Sequence, residues 1–429
     1  MQLYSTNNKS IQVNLKEAVM QSLAKDKGLY MPMFIPTLDE QFIAHLSSYS
    51  FQEISLEICK ALMGDYIPEK DLKEIIETSI NFQAPVQMLD ENIGSLELWH
   101  GPSLAFKDFG ARFMAALMSY FIRGEDNKLT ILVATSGDTG GAVAAGFYNT
   151  PGIEVIILYP SGKVSHLQEK QLTTLGNNIT ALEIDGTFDD CQAMVKEAFL
   201  DQDLQAKYNL SSANSINIAR LIPQSFYYFE AYKQIMHLGK DVVFAIPSGN
   251  FGNLTAGLLA KRMGLPVKKF IAATNINKIV PEYLESGQYH PKVSLATISN
   301  AMDVGSPSNF TRIMDLYQHN HDAITADISG FWLNDDDTRT SMVEAYQKYG
   351  YICDPHGAIA YRSLDHLQAN ELGIFLETAH PAKFLDTVED TLGIKIDIPE
   401  ALSKLAHKDK VATFLNPKYS ELKSYLLSR

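Results

Sequence analysis

The stretch Leu129-Thr-Ile-Leu-Val-Ala-Thr-Ser-Gly-Asp-Thr-Gly-Gly-Ala-Val-Ala-Ala-Gly-Phe-Tyr148 decides the fold. Leu129–Ala134 is an apolar run of strand length interrupted only by Thr130, and a helical pattern follows from about Thr139 to Tyr148, with a glycine-rich turn between them. The same order recurs outward along the chain. Val155–Tyr159 reads as a strand before a helix over 164–175, and Ile179–Ile184 as a strand before a helix over 188–206. A long helical stretch over 215–237 leads to the strand Val242–Ile246, a second glycine-rich turn and another helix. Phe270–Thr274 and Gly373–Thr378 read as the last strands of the core. Strands alternating with helices predict an α/β protein whose parallel sheets are covered on both faces. In such sheets ligands bind at the carboxyl ends of the strands, where the unusual turns of this chain lie. The pattern is weakest over 280–340, and the run Asp335-Asp336-Asp337 reads there as a solvated loop.

Upstream, His100-Gly-Pro-Ser-Leu-Ala-Phe-Lys-Asp-Phe-Gly110 places one lysine between a turn and a helix. Leu96, Leu98 and Trp99 end an apolar strand, while Phe109, Phe113, Leu117 and Phe121 recur every four residues on an inward helix face. Lys107 therefore sits at a helix N-terminus among apolar groups, where burial and the helix dipole both disfavour the ammonium. A free amine is the nucleophile that a carbonyl cofactor requires. The segment alone is equally compatible with a surface lysine at a helix start. Residues 1–90 read as a mostly helical N-terminal unit. In it Asn14 and Glu17 form a capping box, Leu15, Val19 and Leu23 a stripe, and Gly28 the helix end.

The 429 residues suffice for two or three domains and a large core. A composition 46% hydrophobic and 20% charged is that of a globular protein. The net charge of −14 argues against a nucleic-acid partner, although a few local cations could still hold a small anion. Cys59, Cys191 and Cys353 are odd in number and far apart, which fits neither a metal pattern nor a disulfide framework. The first residues show no signal-peptide pattern and no run has membrane-spanning length, so a cytoplasmic location without membrane contact is expected.

Two turns share one logic. Ala134-Thr-Ser-Gly-Asp-Thr-Gly-Gly141 and Ile246-Pro-Ser-Gly-Asn-Phe-Gly-Asn-Leu254 each follow a strand and open a helix. Hydroxyls, backbone N–H groups and closely approaching glycines could there hold a carboxylate or phosphate. Neither is a Walker A loop or a Rossmann G-x-G-x-x-G, and either alone reads as ordinary turn chemistry. Two such turns in one parallel sheet, with a placed lysine, point to a phosphorylated carbonyl cofactor, for which pyridoxal phosphate is the candidate. A third element, Phe375-Leu-Glu-Thr-Ala-His-Pro-Ala-Lys-Phe384, puts Thr378 at a strand end. Its hydroxyl could meet a pyridine nitrogen, although by pattern alone it reads as a capping threonine before His-Pro.

These motifs in this order (HGPSLAFKDFG, ATSGDTG, PSGNFGN and TAHPAKF) closely resemble the threonine synthase family. The resemblance extends to GLYMP at 28–32, NSINIARL at 214–221, AMDVGSPSNF at 301–310 and DPHGAIAY at 354–361, and so to almost the whole chain. It implies two parallel-sheet α/β domains of the tryptophan-synthase-β-like, pyridoxal-phosphate fold. The expected division is a helical unit over 1–90, a catalytic core over 91–390 and a C-terminal helical extension over 391–429. Within the core, a smaller sheet subdomain would occupy about 110–215.

By the same resemblance Lys107 would carry the cofactor as an imine, with Gly249, Asn250, Phe251, Gly252 and Asn253 around its phosphate. Thr378 would meet the ring nitrogen. Ser136, Gly137, Asp138 and Thr139 would hold the substrate carboxylate, Asp138 near the cofactor's 3′ oxygen. Ser215 and Arg220 would hold a substrate phosphate, sharing Asn250, with Lys163 as a looser candidate for that anion. One departure is Ala105, where many relatives of the fold type have a hydroxyl residue; it bears on substrate detail rather than on cofactor binding.

The implied reaction converts O-phospho-L-homoserine and water to L-threonine and phosphate. Lys107 would act as the base and Arg220 would stabilise the departing phosphate by a bidentate fork. The rivals are a phospho-lyase releasing 2-oxobutyrate, a threonine or serine dehydratase, and a catalytically silent relative that binds a metabolite. His100, His356 and His380 lie inside the motifs beside prolines and glycines, read as structural hydrogen-bonders, and are assigned no acid–base role. A monomer or homodimer is expected.

Overall fold

The computed structural model describes residues 1–125 and 128–429. Leu129–Ala134, Ile153–Pro160 and Ile179–Ile184 lie side by side in a five-stranded, wholly parallel sheet. Asn209–Ser212 adds to one side of it and Thr413–Leu415 to the other. All of Leu129–Ala134 is buried, as a parallel strand covered on both faces must be. A second sheet runs in the order Ile328–Trp332, Lys269–Thr274, Asp241–Pro247, Glu371–Glu377, Ile93–Glu97 and Val86–Met88. Only the last strand of that sheet is antiparallel.

The helix Lys107–Phe121 packs between the N-terminal unit and the core. Its stripe of Phe109, Phe113, Leu117 and Phe121 is buried, with Phe109 against Tyr227 and Phe113 against Phe226 in edge-on contacts at 5.2 and 5.7 Å. Burying each such side chain contributes about 1.5–3 kcal/mol. The helix is thereby anchored along its length, and its first residue, Lys107, is placed by that packing.

The N-terminal unit is mostly helical as expected, with helices at Leu15–Gln21, Glu40–Ala44, Phe51–Met63 and Glu69–Ser79, and it adds a three-stranded antiparallel sheet of Gln2–Ser5, Gln12–Asn14 and Tyr30–Pro32. Other expectations are corrected. The Asn14–Glu17 capping box forms, whereas the helix ends at Gln21, with Ser22 at φ +65°. Gly28 instead packs against the first strand, where a Cβ would lie 2.0 Å from Ser5 Oγ. Asp335–Asp337 is not a loop. It is the first turn of the helix Asp335–Tyr349, capped by Asn334, and its carboxylates complement the positive helix end. The C-terminal segment is not purely helical, since Thr413–Leu415 lies between the helices Glu400–Ala406 and Tyr419–Leu427. Short strands such as this one are selected by the neighbour they pair with rather than by their own pattern. Among the described residues no helix is long and apolar enough to cross a membrane.

Candidate active site

The carboxyl ends of both sheets open onto one cavity of about 800 Å³, lined among others by Lys107, Ser136, Ser215, Arg220, Asn250 and Thr378. Lys107 and Thr378 share a frame. Ala105 and Ala379 form an antiparallel bridge, Phe106 N–H donates to Thr378 O at 2.8 Å, and His380 N–H donates to Leu104 O at 3.0 Å. Ala105 is wholly buried in this bridge, so its side chain faces no ligand. Lys107 heads its helix as the spacing predicts. Burial lowers its ammonium pKa to about 8, assisted by the Lys383 and Arg220 charges and opposed by Asp138. The amine is thus available as a nucleophile near neutrality.

After the strand Asp241–Pro247 the chain turns tightly into the helix Gly252–Arg262, with Phe251 in the left-handed region at φ +61°. A Cβ on Gly249 would lie 2.5 Å from Ala301 O, so only glycine allows this approach. The helix N-terminus faces the cavity. Asn253 turns its amide accordingly: Oδ1 accepts from Tyr227 and Tyr228 hydroxyls at 2.7 and 2.6 Å, while the buried Nδ2 has no partner. A donor left unpaired at a helix start, beside a lysine amine, fits the phosphate of a carbonyl cofactor.

Asp138 begins the helix Asp138–Phe147 and lies behind the loop rather than on the cavity wall. Burial opposes its charge, but Lys383 and Lys107 outweigh it and hold the carboxyl well below the usual range. Lys383 Nζ is 2.7 Å from Asp138 Oδ1 and donates to Ser103 O at 2.9 Å, and Gln168 Nε2 donates to the same carboxylate oxygen at 3.0 Å. Thr135 Oγ1 accepts from Gly137 and Gly140 N–H, which draws the loop tight. Gly137 stands at φ +137°, where a Cβ would strike the Gln168 amide at 2.6 Å. Ser136 and Thr139 line the cavity. Sequence reasoning overlooked Thr135, Gln168 and Lys383. Lys383 stood inside a quoted motif, and a lysine between Ala382 and Phe384 was the available signal.

On the far wall, Asn250 Nδ2 donates to Ser215 Oγ at 2.6 Å. Arg220 is buried, with Nη1 donating to Ala213 O at 2.5 Å and Nε unpartnered. Burial lowers its pKa to about 10, with Asp108 opposing. Gly110 makes room for it, since a Cβ there would lie 2.9 Å from Arg220 Nε. Lys163 does not join this group: it is exposed and outside the cavity lining, on a turn in which Gly162 stands at φ +65°. His356 faces the cavity, yet its Nδ1 is bonded to Asp354 at 2.7 Å and its Nε2 accepts from Ala301 N–H. Burial lowers the His380 pKa to about 4, and that ring accepts from Ala382 N–H. His100 is paired with Glu97 at the surface.

Residues 93–374 match the family model described as pyridoxal-phosphate dependent enzyme, which agrees with a lysine amine and an anion-binding turn in one cavity. Fold and site thus define an enzyme that uses pyridoxal phosphate. Residues 2–80 match the model of the threonine synthase N terminus, and residues 357–426 that of the threonine synthase C-terminal region. The threonine synthase of Haemophilus influenzae is 48% identical over 429 residues, spanning all of both chains. The crystal structure of threonine synthase from Escherichia coli superposes with a TM-score of 0.94 at 45% identity, again over the whole of both chains. That of pyridoxal-phosphate-bound threonine synthase from Brucella melitensis gives 0.92 at 34% identity, covering 99% of this chain and 98% of that one. The chain belongs to the threonine synthase family.

Proposed function

We propose that this protein converts O-phospho-L-homoserine and water to L-threonine and phosphate, with pyridoxal phosphate as cofactor. The observation that carries this reading is the placement of Lys107, whose ammonium burial disfavours, and of the buried Arg220 on walls of one cavity. The cofactor, when bound, supplies an electron-accepting ring beside the substrate amine. Lys107 holds it and moves the proton at the substrate α-carbon. The Gly249–Asn253 turn would hold its phosphate and Thr378 its ring nitrogen, while Asp138, expected near its 3′ oxygen, stands behind the loop and would act through the loop it anchors. Ser136, Gly137 and Thr139 receive the substrate carboxylate at the start of the helix Asp138–Phe147. Ser215, Asn250 and Arg220 take the substrate phosphate, and Arg220 stabilises its charge as the C–O bond breaks.

We further assign the two sheets to a smaller and a larger catalytic subdomain, the smaller completed by Thr413–Leu415 from the chain's C-terminal segment. The three cysteines are free and buried, which supports a reducing compartment such as the cytoplasm. The test is an incubation of the purified protein with pyridoxal phosphate and O-phospho-L-homoserine, assaying phosphate, threonine and 2-oxobutyrate together. Equal phosphate and threonine would support the synthase reaction. Phosphate with 2-oxobutyrate would make the protein a lyase, and no phosphate at all would overturn the assignment.

A further inference from the structure

The far wall of the cavity contains a hydroxyl whose polarity is set from behind. Ser215 Oγ accepts from Asn250 Nδ2 at 2.6 Å and from Asn309 Nδ2 at 3.4 Å. Neither amide is free to turn round. Asn250 Oδ1 accepts from Ser308 N–H at 2.6 Å, and Asn309 Oδ1 accepts from Arg312 Nη1 at 2.6 Å. An amide whose oxygen is occupied presents only N–H donors on its other side. A hydroxyl that accepts twice has spent both lone pairs, so its own hydrogen is left to be donated into the cavity that Ser215 lines.

Arg312 is the largest fully buried side chain of the protein. Its other partners are backbone carbonyls. Nε and Nη2 donate to Tyr30 O at 3.3 and 3.1 Å, Nη2 donates to Ile216 O at 2.7 Å, and Nη1 reaches Ser215 O at 3.4 Å. Among the described residues no carboxylate forms an ion pair with it, and burial lowers its pKa to about 9 with no opposing charge. A buried cation without a counter-anion is costly, and an anion bound in front of Ser215 would offset that cost. The guanidinium also ties the N-terminal sheet, through Tyr30, to the Ser215–Ile216 backbone.

We propose that Arg312 and Asn309 are positioning residues that commit the Ser215 hydroxyl to donation, making this subsite selective for an acceptor-only phosphate over a substrate hydroxyl. A phosphate dianion accepts from every surrounding donor, whereas an unphosphorylated hydroxyl finds no acceptor for its hydrogen on this face. The inference rests on the proposed reaction and names residues that set its substrate class.

The test is Asn309→Asp, which is nearly isosteric and keeps an oxygen for Arg312. It replaces the Nδ2 donor by an oxygen that draws the Ser215 O–H away from the cavity. The holoenzyme variant should keep its cofactor absorbance and its unfolding temperature. Its KM for O-phospho-L-homoserine, and its dissociation constant for inorganic phosphate measured by calorimetry, should both rise about tenfold to a hundredfold, as for loss of a hydrogen bond to a charged group. In a Ser215→Ala background the same change should cost only a few-fold. An effect of full size in that background would mean that the added charge acts without the hydroxyl, and would overturn the proposal, as would unchanged constants in the single variant. Arg312→Lys, which keeps the charge but loses the fork, should raise both constants in the same direction; normal constants there would also overturn it. Failure of the unmodified enzyme to consume O-phospho-L-homoserine would instead count against the reaction, and phosphate calorimetry would still test the hydroxyl.

Discussion

Replacing Lys383 by methionine should destabilise the protein more than any surface change, and in a pH-dependent way. Its ammonium lies 2.7 Å from Asp138 Oδ1 and 2.9 Å from Ser103 O, in a place where the side chain is wholly buried. In Lys383→Met, Asp138 keeps only the Gln168 amide at 3.0 Å and the Lys107 charge. Breaking a buried pair by removing one partner costs about 3–5 kcal/mol, a large part of the roughly 5–15 kcal/mol that hold a typical fold. The sign with pH follows from Asp138. Its folded pKa is depressed, so its contribution to stability is present above the unfolded pKa of about 3.9 and is lost as pH falls through the folded value. Without Lys383, burial is the largest influence left on Asp138 and raises its carboxyl above the ordinary value, so the variant's deficit should be greatest near pH 7.5 and shrink as acidification protonates the stranded carboxyl. Urea unfolding followed by tryptophan fluorescence, at pH 7.5 and pH 5, measures both quantities. Adding Asp138→Asn should recover much of the loss, because no charge is then left stranded. A deficit below about 1 kcal/mol, within the range of an exposed pair, would refute the reasoning. So would a deficit equal at both pH values, or no recovery in the double variant.

Three shorter expectations follow from the same cavity. Uptake of pyridoxal phosphate by apo-protein should quicken as pH rises through about 8, because the free Lys107 amine is the reacting form; an inflection near the ordinary lysine value, or visible absorbance persisting in Lys107→Ala, would count against it. Gly137→Ala forces a side chain onto φ +137° and into the Gln168 amide, so it should cost about 1–3 kcal/mol and raise KM; an unchanged unfolding temperature would be incompatible with that strain. Removing both tyrosine hydroxyls, Tyr227→Phe with Tyr228→Phe, frees the Asn253 amide to flip and should weaken cofactor binding about tenfold in a loading titration, while either change alone does little. Equal binding in the double variant would mean that Asn253 is oriented by something else.

The sequence by itself determined the elements governed by neighbours within a few residues. Leu129–Ala134, Ile179–Ile184 and the Phe109–Phe121 stripe were legible because a buried strand or helix face repeats its apolar residues at a fixed local period. Lys107 at a helix start and the turns at Gly137 and Gly249–Gly252 were legible because a turn between strand and helix restricts which residues can occupy it. Only the tertiary structure decided which distant groups meet. Lys383 reaches Ser103 from 280 residues away and Arg312 reaches Tyr30 from 282, and no local pattern encodes such encounters. The strands Asn209–Ser212 and Thr413–Leu415 are short and exist through the sheet they join. Lys163, a looser candidate for the phosphate by resemblance, is exposed and outside the cavity lining, and exposure is a property of the packed molecule that no local pattern encodes. The chemistry of single residues was local information, whereas the charge balance around them is a property of the packed molecule, since burial and long-range pairing set it together.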